Sequence, residues 1–166
     1  HEWEGLMYQV LPSPWENQRR FDDGVAYLDA YGERLLGSLT DYLNAAHRVS
    51  QETRYWRILI GPWLIHYLHA AYDRYVHLTE AFRGHPTLHT TVLDPGAFQV
   101  PADTLTFVTG LGDDAANLQL FSEQLAHLGY AFPRKPWPIP GRAAGEGTQP
   151  TGWRGAMRGA RRRGLD

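Results

Sequence analysis

The 166-residue chain contains no cysteine, a single lysine and only two methionines. Without cysteine there is no disulfide, no thiolate nucleophile, no Cys-ligated zinc and no Fe–S cluster. A core of this length needs no such staples, and the lack of thiols is compatible with a cytoplasmic location. No apolar run reaches the ~18 residues that a transmembrane segment requires. The longest, Ile58 to Ala71, is interrupted by Gly61-Pro62 and carries His66 and His69. Glu2 and Glu4 stand where a signal peptide carries positive charge, so no export signal is visible. Residue 1 is not Met, and the chain reads as a fragment or a trimmed product. GxSxG, P-loop, GxGxxG and HExxH patterns are all missing. "TGLGDD" (Thr109 to Asp114) places two glycines before a helix start, but its two aspartates would repel phosphate and are read as caps.

What is present fits a folded protein of one domain: 43% hydrophobic and 13% aromatic residues. The net charge of −2 hides a division near Pro133. Residues 134–166 carry +6, leaving −8 and all eight histidines to the rest. The chain is therefore divided into a folded part, 1–133, and a basic tail, 134–166, that is Pro-rich and then Gly/Arg-rich. With almost nothing to bury, the tail is expected to be disordered. A solvated tail is preferred to one contacting nucleic acid, and the abrupt change also fits a frame change in the coding sequence.

Leu6 to Pro12 alternates roughly and ends in Pro-Ser-Pro, predicting a short strand and a turn. Phe21, Val25, Leu28, Leu35, Leu39, Tyr42, Leu43 and Ala46 form one stripe of a long amphipathic helix, about Asn17 to Arg48. Gly24, Gly32 and Gly37 weaken it or let a neighbouring helix come close. Ser50 is the expected N-cap of a second helix, with a kink at Pro62 or a break that starts a new helix there, ending near Gly84. Thr87 to Leu93 predicts a strand, and Asp94-Pro95-Gly96 a turn. A short helix follows from about Asp103 to Gly112. Another is capped by Asp113 or Asp114, buries Leu118, Phe121, Leu125 and Leu128, and stops at Gly129. The fold class is an α-rich α/β protein: long helices with a few short strands.

The segment "RYWRILIGPWLIHYLHAAYDRY", residues 54–75, holds three arginines, two tryptophans, four tyrosines and two histidines. Its apolar residues wrap most of the helix, predicting a central helix contacted on several sides, with the rings mainly in the core. Arg54, Arg57 and Arg74 among those rings need carboxylates, ring faces or an external anion. Asp73 is adjacent to Arg74 but points about 100° away, so it is expected to pair elsewhere. His66, His69, Asp73 and His77 fall at i, i+3, i+7 and i+11 on one side. His66, His69 and Asp73 form a secondary metal reading, since the His-x₂-His spacing is loose and no Glu base lies between.

"SQETRYWRILIGPWLIHYLHAAYDRY", with the preceding "YQVLPSPWENQRRFDDGVAYLDAYGERLLGSLTDYLNAAH", resembles the N-terminal half of a bacterial transferase family linked to O-antigen and other surface-carbohydrate synthesis. "TLTFVTGLGDDAANLQLFSEQL" is similar to the family's next segment, where Asp114 and Asn117 match. The resemblance covers residues 6–130. It implies a longer, two-lobed enzyme of GT-B-like fold, of which this chain is the truncated N-terminal, acceptor-side lobe, inactive without its missing C-terminal lobe. No resident cofactor is implied; a nucleotide-sugar donor and a sugar or phosphosugar acceptor are. Arg54, Tyr55, Trp56, Arg57, Gly61, Pro62, Trp63, Tyr72, Asp73 and Arg74 match the signature. Of these, Arg54, Trp56, Arg57, Trp63, Asp73 and Arg74 are the candidates for anion or sugar binding. The competing reading is a stand-alone helical binding or scaffold domain with a basic tail.

Overall fold

The computed structural model describes Gly5 and residues 7–136, in two compact units that part between His89 and Thr90. The tail beyond Pro136 lies outside the described residues, and with it the expected disorder and any contact of its arginines.

The first unit is an antiparallel helical hairpin. Helix α1 runs Gln18–His47, entered through Asn17, whose side-chain oxygen accepts from the Arg20 backbone N–H at 3.0 Å. It leaves through Arg48 in the left-handed region, φ 55°, where the Arg48 and Val49 N–H groups bond back to Ala45 and Asn44. Helix α2 runs Thr53–Gly84 without interruption. Of the two outcomes expected at Pro62, a kink or a break, the break does not occur. Pro62 leaves the Ile58 carbonyl without its i+4 donor, but both residues lie on the solvent side, where water can satisfy that oxygen. Ser50 is not the cap. Asn44 holds the Gln51 backbone in an extended loop by a reciprocal pair of 2.9 Å bonds, which delays helix entry to Glu52.

The register of the hairpin is constant along its length. Asn44 bonds Trp56 at the turn; twelve residues back, Gly32 meets Leu68, twelve residues on; a further twelve back, Arg20 meets Glu80. Leu28, Leu36, Trp56, Leu64 and Leu68 form the core, flanked by Leu35, Leu39, Leu43, Ile60, Trp63 and Tyr72. The stripe read from the sequence is therefore right at Leu28, Leu35, Leu39 and Leu43. It is wrong at Phe21, Val25, Tyr42 and Ala46, which are exposed, and it omits Leu36, 3% exposed. Gly24 and Gly32 admit the partner helix: a Cβ on Gly32 would sit 3.4 Å from Leu68 Cδ1, and one on Gly24 3.3 Å from Tyr72 Cε1. Gly37 has open space. Helix α2 is not wrapped on all sides. Tyr55, Ile58, Leu59 and Ile65 face solvent, Ile58 at 68%, because one helix covers only one face of another.

Residues 7–13 are irregular rather than a strand; Met7, Tyr8 and Val10 are exposed, and no ladder forms there among the described residues.

In the second unit β1 (Val92–Leu93) pairs in parallel with β2 (Arg134–Lys135). The strand expected over Thr87–Leu93 shrinks to two residues because its partner is that short, lying between Pro133 and Pro136. Arg134 and Lys135, assigned by sequence to the tail, supply that partner. Asp94 accepts from Gly96 N–H and turns the chain into a 3₁₀ turn, Pro95–Ala97. Helix α3 (Thr104–Gly110) is capped by Asp103, whose carboxylate accepts from Thr106 N–H at 2.8 Å and is thereby held below its ordinary pKa. Helix α4 (Asp114–His127) has Asp113 at its N-cap position and stops at Gly129, φ 83°, with Tyr130 N–H bonded to Leu125 O. Buried Ser122 on α4 accepts the Leu93 N–H at 2.9 Å, satisfying the strand donor that faces away from β2. Ser122→Ala leaves that donor orphaned, and thermal unfolding should show a loss of about 1–3 kcal/mol.

Candidate functional site

The chain gathers charge and aromatic rings at the open end of the hairpin, away from its turn. Ser13 and Pro14 set a turn: Trp15 N–H reaches Ser13 Oγ and Glu16 N–H reaches Ser13 O, both at 3.3 Å. Pro14 is buried and Trp15 half-buried. The Trp15 ring lies over Gly24, 3.5 Å from where a Cβ would be, and beside Tyr72 at 5.9 Å. Phe21 and His77 meet it edge-on at 6.5 and 6.4 Å, and Tyr27 continues the aromatic layer from Tyr72 at 5.4 Å. A Cβ at 24 would meet the Trp15 ring in ordinary contact and press more tightly on Tyr72, 3.3 Å away.

Asp73 is the hub. Its Oδ1 accepts the Trp15 indole N–H at 2.6 Å, and its Oδ2 accepts the Arg74 guanidinium at 2.9 Å. The Asp73–Arg74 pairing expected not to form does form. The Cβ vectors diverge, but the arginine is long enough to fold back onto its neighbour. One turn on, His77 Nδ1 lies 2.8 Å from the Asp73 carbonyl and 3.3 Å from Oδ1. Next to this hub Arg20 bonds Glu80 at 2.7 Å across the hairpin, and Arg83 bonds the other oxygen of Glu80. The Arg20 hydrogen bond is the main reason Glu80 sits below its ordinary pKa.

The six candidate residues do not converge. They span twenty positions of one helix, about 30 Å at 1.5 Å per residue. Trp56 is buried near the turn, its indole N–H on Asn44 Oδ1 at 3.0 Å and its ring stacked on His47 at 5.9 Å. Arg54 is exposed in the first turn of α2. Arg57 forks onto Glu33 at 2.5 and 2.6 Å. Trp63, half-buried, stacks on Tyr67 at 5.2 Å. Of the six, Asp73 and Arg74 meet. His66 and His69 face solvent, Asp73 is turned to Trp15 and Arg74, and among the described residues no three His, Asp or Glu side chains are grouped around one point.

Residues 1–144 match the LIC12162 family of transferases. The chain belongs to that family. No curated protein and no solved structure matches it. Membership in the LIC12162 family establishes the transferase part of the sequence resemblance, and the fold is helix-rich, as expected, with two short parallel strands. No helix among the described residues is long and apolar enough to cross a membrane.

For this LIC12162 family member the sequence reading missed Trp15, Arg20 and Glu80, and gave His77 no role of its own. The Asp73-x₃-His77 spacing, one helical turn, was legible; Trp15 to Asp73 and Arg20 to Glu80, about sixty positions apart, require the hairpin register. Glu33 was missed likewise. The Arg57 fork holds its carboxyl below the ordinary value, first through the hydrogen bonds and then through charge. Its contribution to stability is complete above the ordinary Glu range and is lost as pH falls through the lowered folded midpoint. NMR titration should place the Glu33 midpoint below that of a free Glu and return it to the ordinary value in Arg57→Ala.

Proposed function

We propose that this LIC12162 family transferase moves a sugar from a nucleotide-sugar donor to a sugar or phosphosugar acceptor in bacterial surface-polysaccharide or O-antigen synthesis. The helical hairpin would form part of the acceptor side of a GT-B-like, two-lobed enzyme. The observation that carries this reading is the Asp73 cluster, which sets a guanidinium and an imidazole against an aromatic layer within a family of transferases. Aromatic rings suit the apolar face of a sugar, and a guanidinium suits phosphate. Arg74 is the arginine assigned to the acceptor, with Trp63 and Tyr67 on the same side of α2 as a ring platform. Arg57, engaged with Glu33, is assigned to stability.

The test is a panel of nucleotide-sugar donors with the full-length natural protein, scored by acceptor-dependent release of nucleotide. Arg74→Ala should lower kcat/KM at least ~10-fold, the value of one charge-assisted contact, and Arg57→Ala should leave it unchanged. A second reading, a helical binding or scaffold domain, draws on the internal ion pairs of Arg57 and Arg74. It predicts that Arg57→Ala lowers the melting temperature and that no donor is bound or consumed.

A further inference from the structure

We infer that His77 is the general base that takes the proton from the acceptor hydroxyl, with Asp73 as its positioning residue. The inference rests on the sugar-transfer reading above. It starts from the carboxylates of the cluster, which are already engaged. Asp73 has one oxygen on the Trp15 indole and the other on Arg74. Glu80 has its two oxygens on Arg20 and Arg83. Each accepts from donors on both oxygens, so taking a proton would weaken those contacts.

His77 is placed differently. Its Nδ1 faces two acceptors of the same residue, the Asp73 carbonyl at 2.8 Å and Oδ1 at 3.3 Å. Neither acceptor can donate, so Nδ1 must carry the proton and the lone pair of the neutral ring is on Nε2. Nε2 has no partner among the described residues, and the side chain is 42% exposed. The ring is steadied on one side by the Trp15 edge contact. Trp15 and Arg74 fix the carboxylate, the carboxylate and its own carbonyl fix the imidazole, and the imidazole offers its basic nitrogen outward. Arg74 holds the other oxygen of the same carboxylate.

In the step assigned to this site, the acceptor oxygen bonds to the anomeric carbon of the donor as its O–H proton passes to His77 Nε2. The bond from the anomeric carbon to the diphosphate oxygen breaks, and the nucleoside diphosphate leaves with that electron pair. The proton on His77 is afterwards lost to water.

The experiment has two arms on the full-length protein. Long-range ¹H–¹⁵N correlation on ¹⁵N-histidine-labelled protein should show neutral His77 as the Nδ1–H tautomer. An Nε2–H tautomer overturns the inference without reference to any donor. With the donor panel, His77→Gln should lower kcat by ~10²–10⁴-fold with donor KM and melting temperature unchanged, and His77→Ala should regain part of its rate from added imidazole. Full rate in His77→Gln beside an active wild type overturns the inference alone. A wild type inert toward every donor overturns the sugar-transfer reading and takes this step with it, while the tautomer still reports the geometry.

Discussion

Trp56→Ala is expected to destabilise the first unit by about 3–5 kcal/mol, the range for removing a large buried aromatic side chain. The indole is 6% exposed, lies in the core with Leu36 and Leu64, and stacks on His47. Its N–H is also one of two donors on Asn44 Oδ1, the other being the Gln51 backbone. Truncation therefore opens a cavity at the point where the turn between α1 and α2 is fastened. Trp56→Phe keeps most of the volume and removes only the indole hydrogen bond, so it should cost about 1–2 kcal/mol. Urea unfolding followed by circular dichroism measures both. A sugar platform on open surface would give almost no change in stability in either variant.

The second large effect is expected at Asp73. Replacement by Ala strands the Trp15 indole N–H and removes the carboxylate partner from Arg74, whose side chain is 21% exposed. Breaking a fully buried pair costs ~3–5 kcal/mol. The Asp73 side chain is 35% exposed, so water screens part of this and about 2–3 kcal/mol remains. Asp73→Asn keeps an oxygen for the Trp15 indole and should lose less than Ala. Urea unfolding gives the energies, and the indole proton of Trp15, shifted downfield by its 2.6 Å bond in the wild type, should move upfield in Asp73→Ala.

The local grammar of the chain was largely legible. Asn17, Asp103 and Gly129 end or begin helices where side-chain or backbone chemistry marks an end, and the sequence shows each of them. Of the three glycines read as weakening α1 or admitting a neighbouring helix, Gly24 and Gly32 lie against α2 and Gly37 faces open space. What could not be read depends on distant partners. Strand β1 is two residues long because its ladder is set by Arg134 and Lys135, some forty positions away. The stretch at Leu6–Pro12 has strand composition but no strand beside it. At the site, Asp73 and His77 lie one helical turn apart and were visible as members of one row with His66 and His69. Trp15, which fixes the carboxylate, comes from a different segment. The density of arginines at 54–74 drew attention to α2, but Arg57 has its counterion on α1, invisible without the hairpin register.

That register also sets an order of assembly. The contact at the turn joins positions twelve apart in sequence, and the one at the open end joins positions sixty apart. Loop-closure entropy grows as the logarithm of length, so a chain lacking the first contact would forfeit about 1.4 kcal/mol more to make the second. The hairpin should zip from Asn44 and Trp56 toward Arg20 and Glu80, and should fray in reverse. The end that carries Asp73 and His77 is then the last to close and the first to breathe, with the Trp15 strap as the latch that keeps it shut.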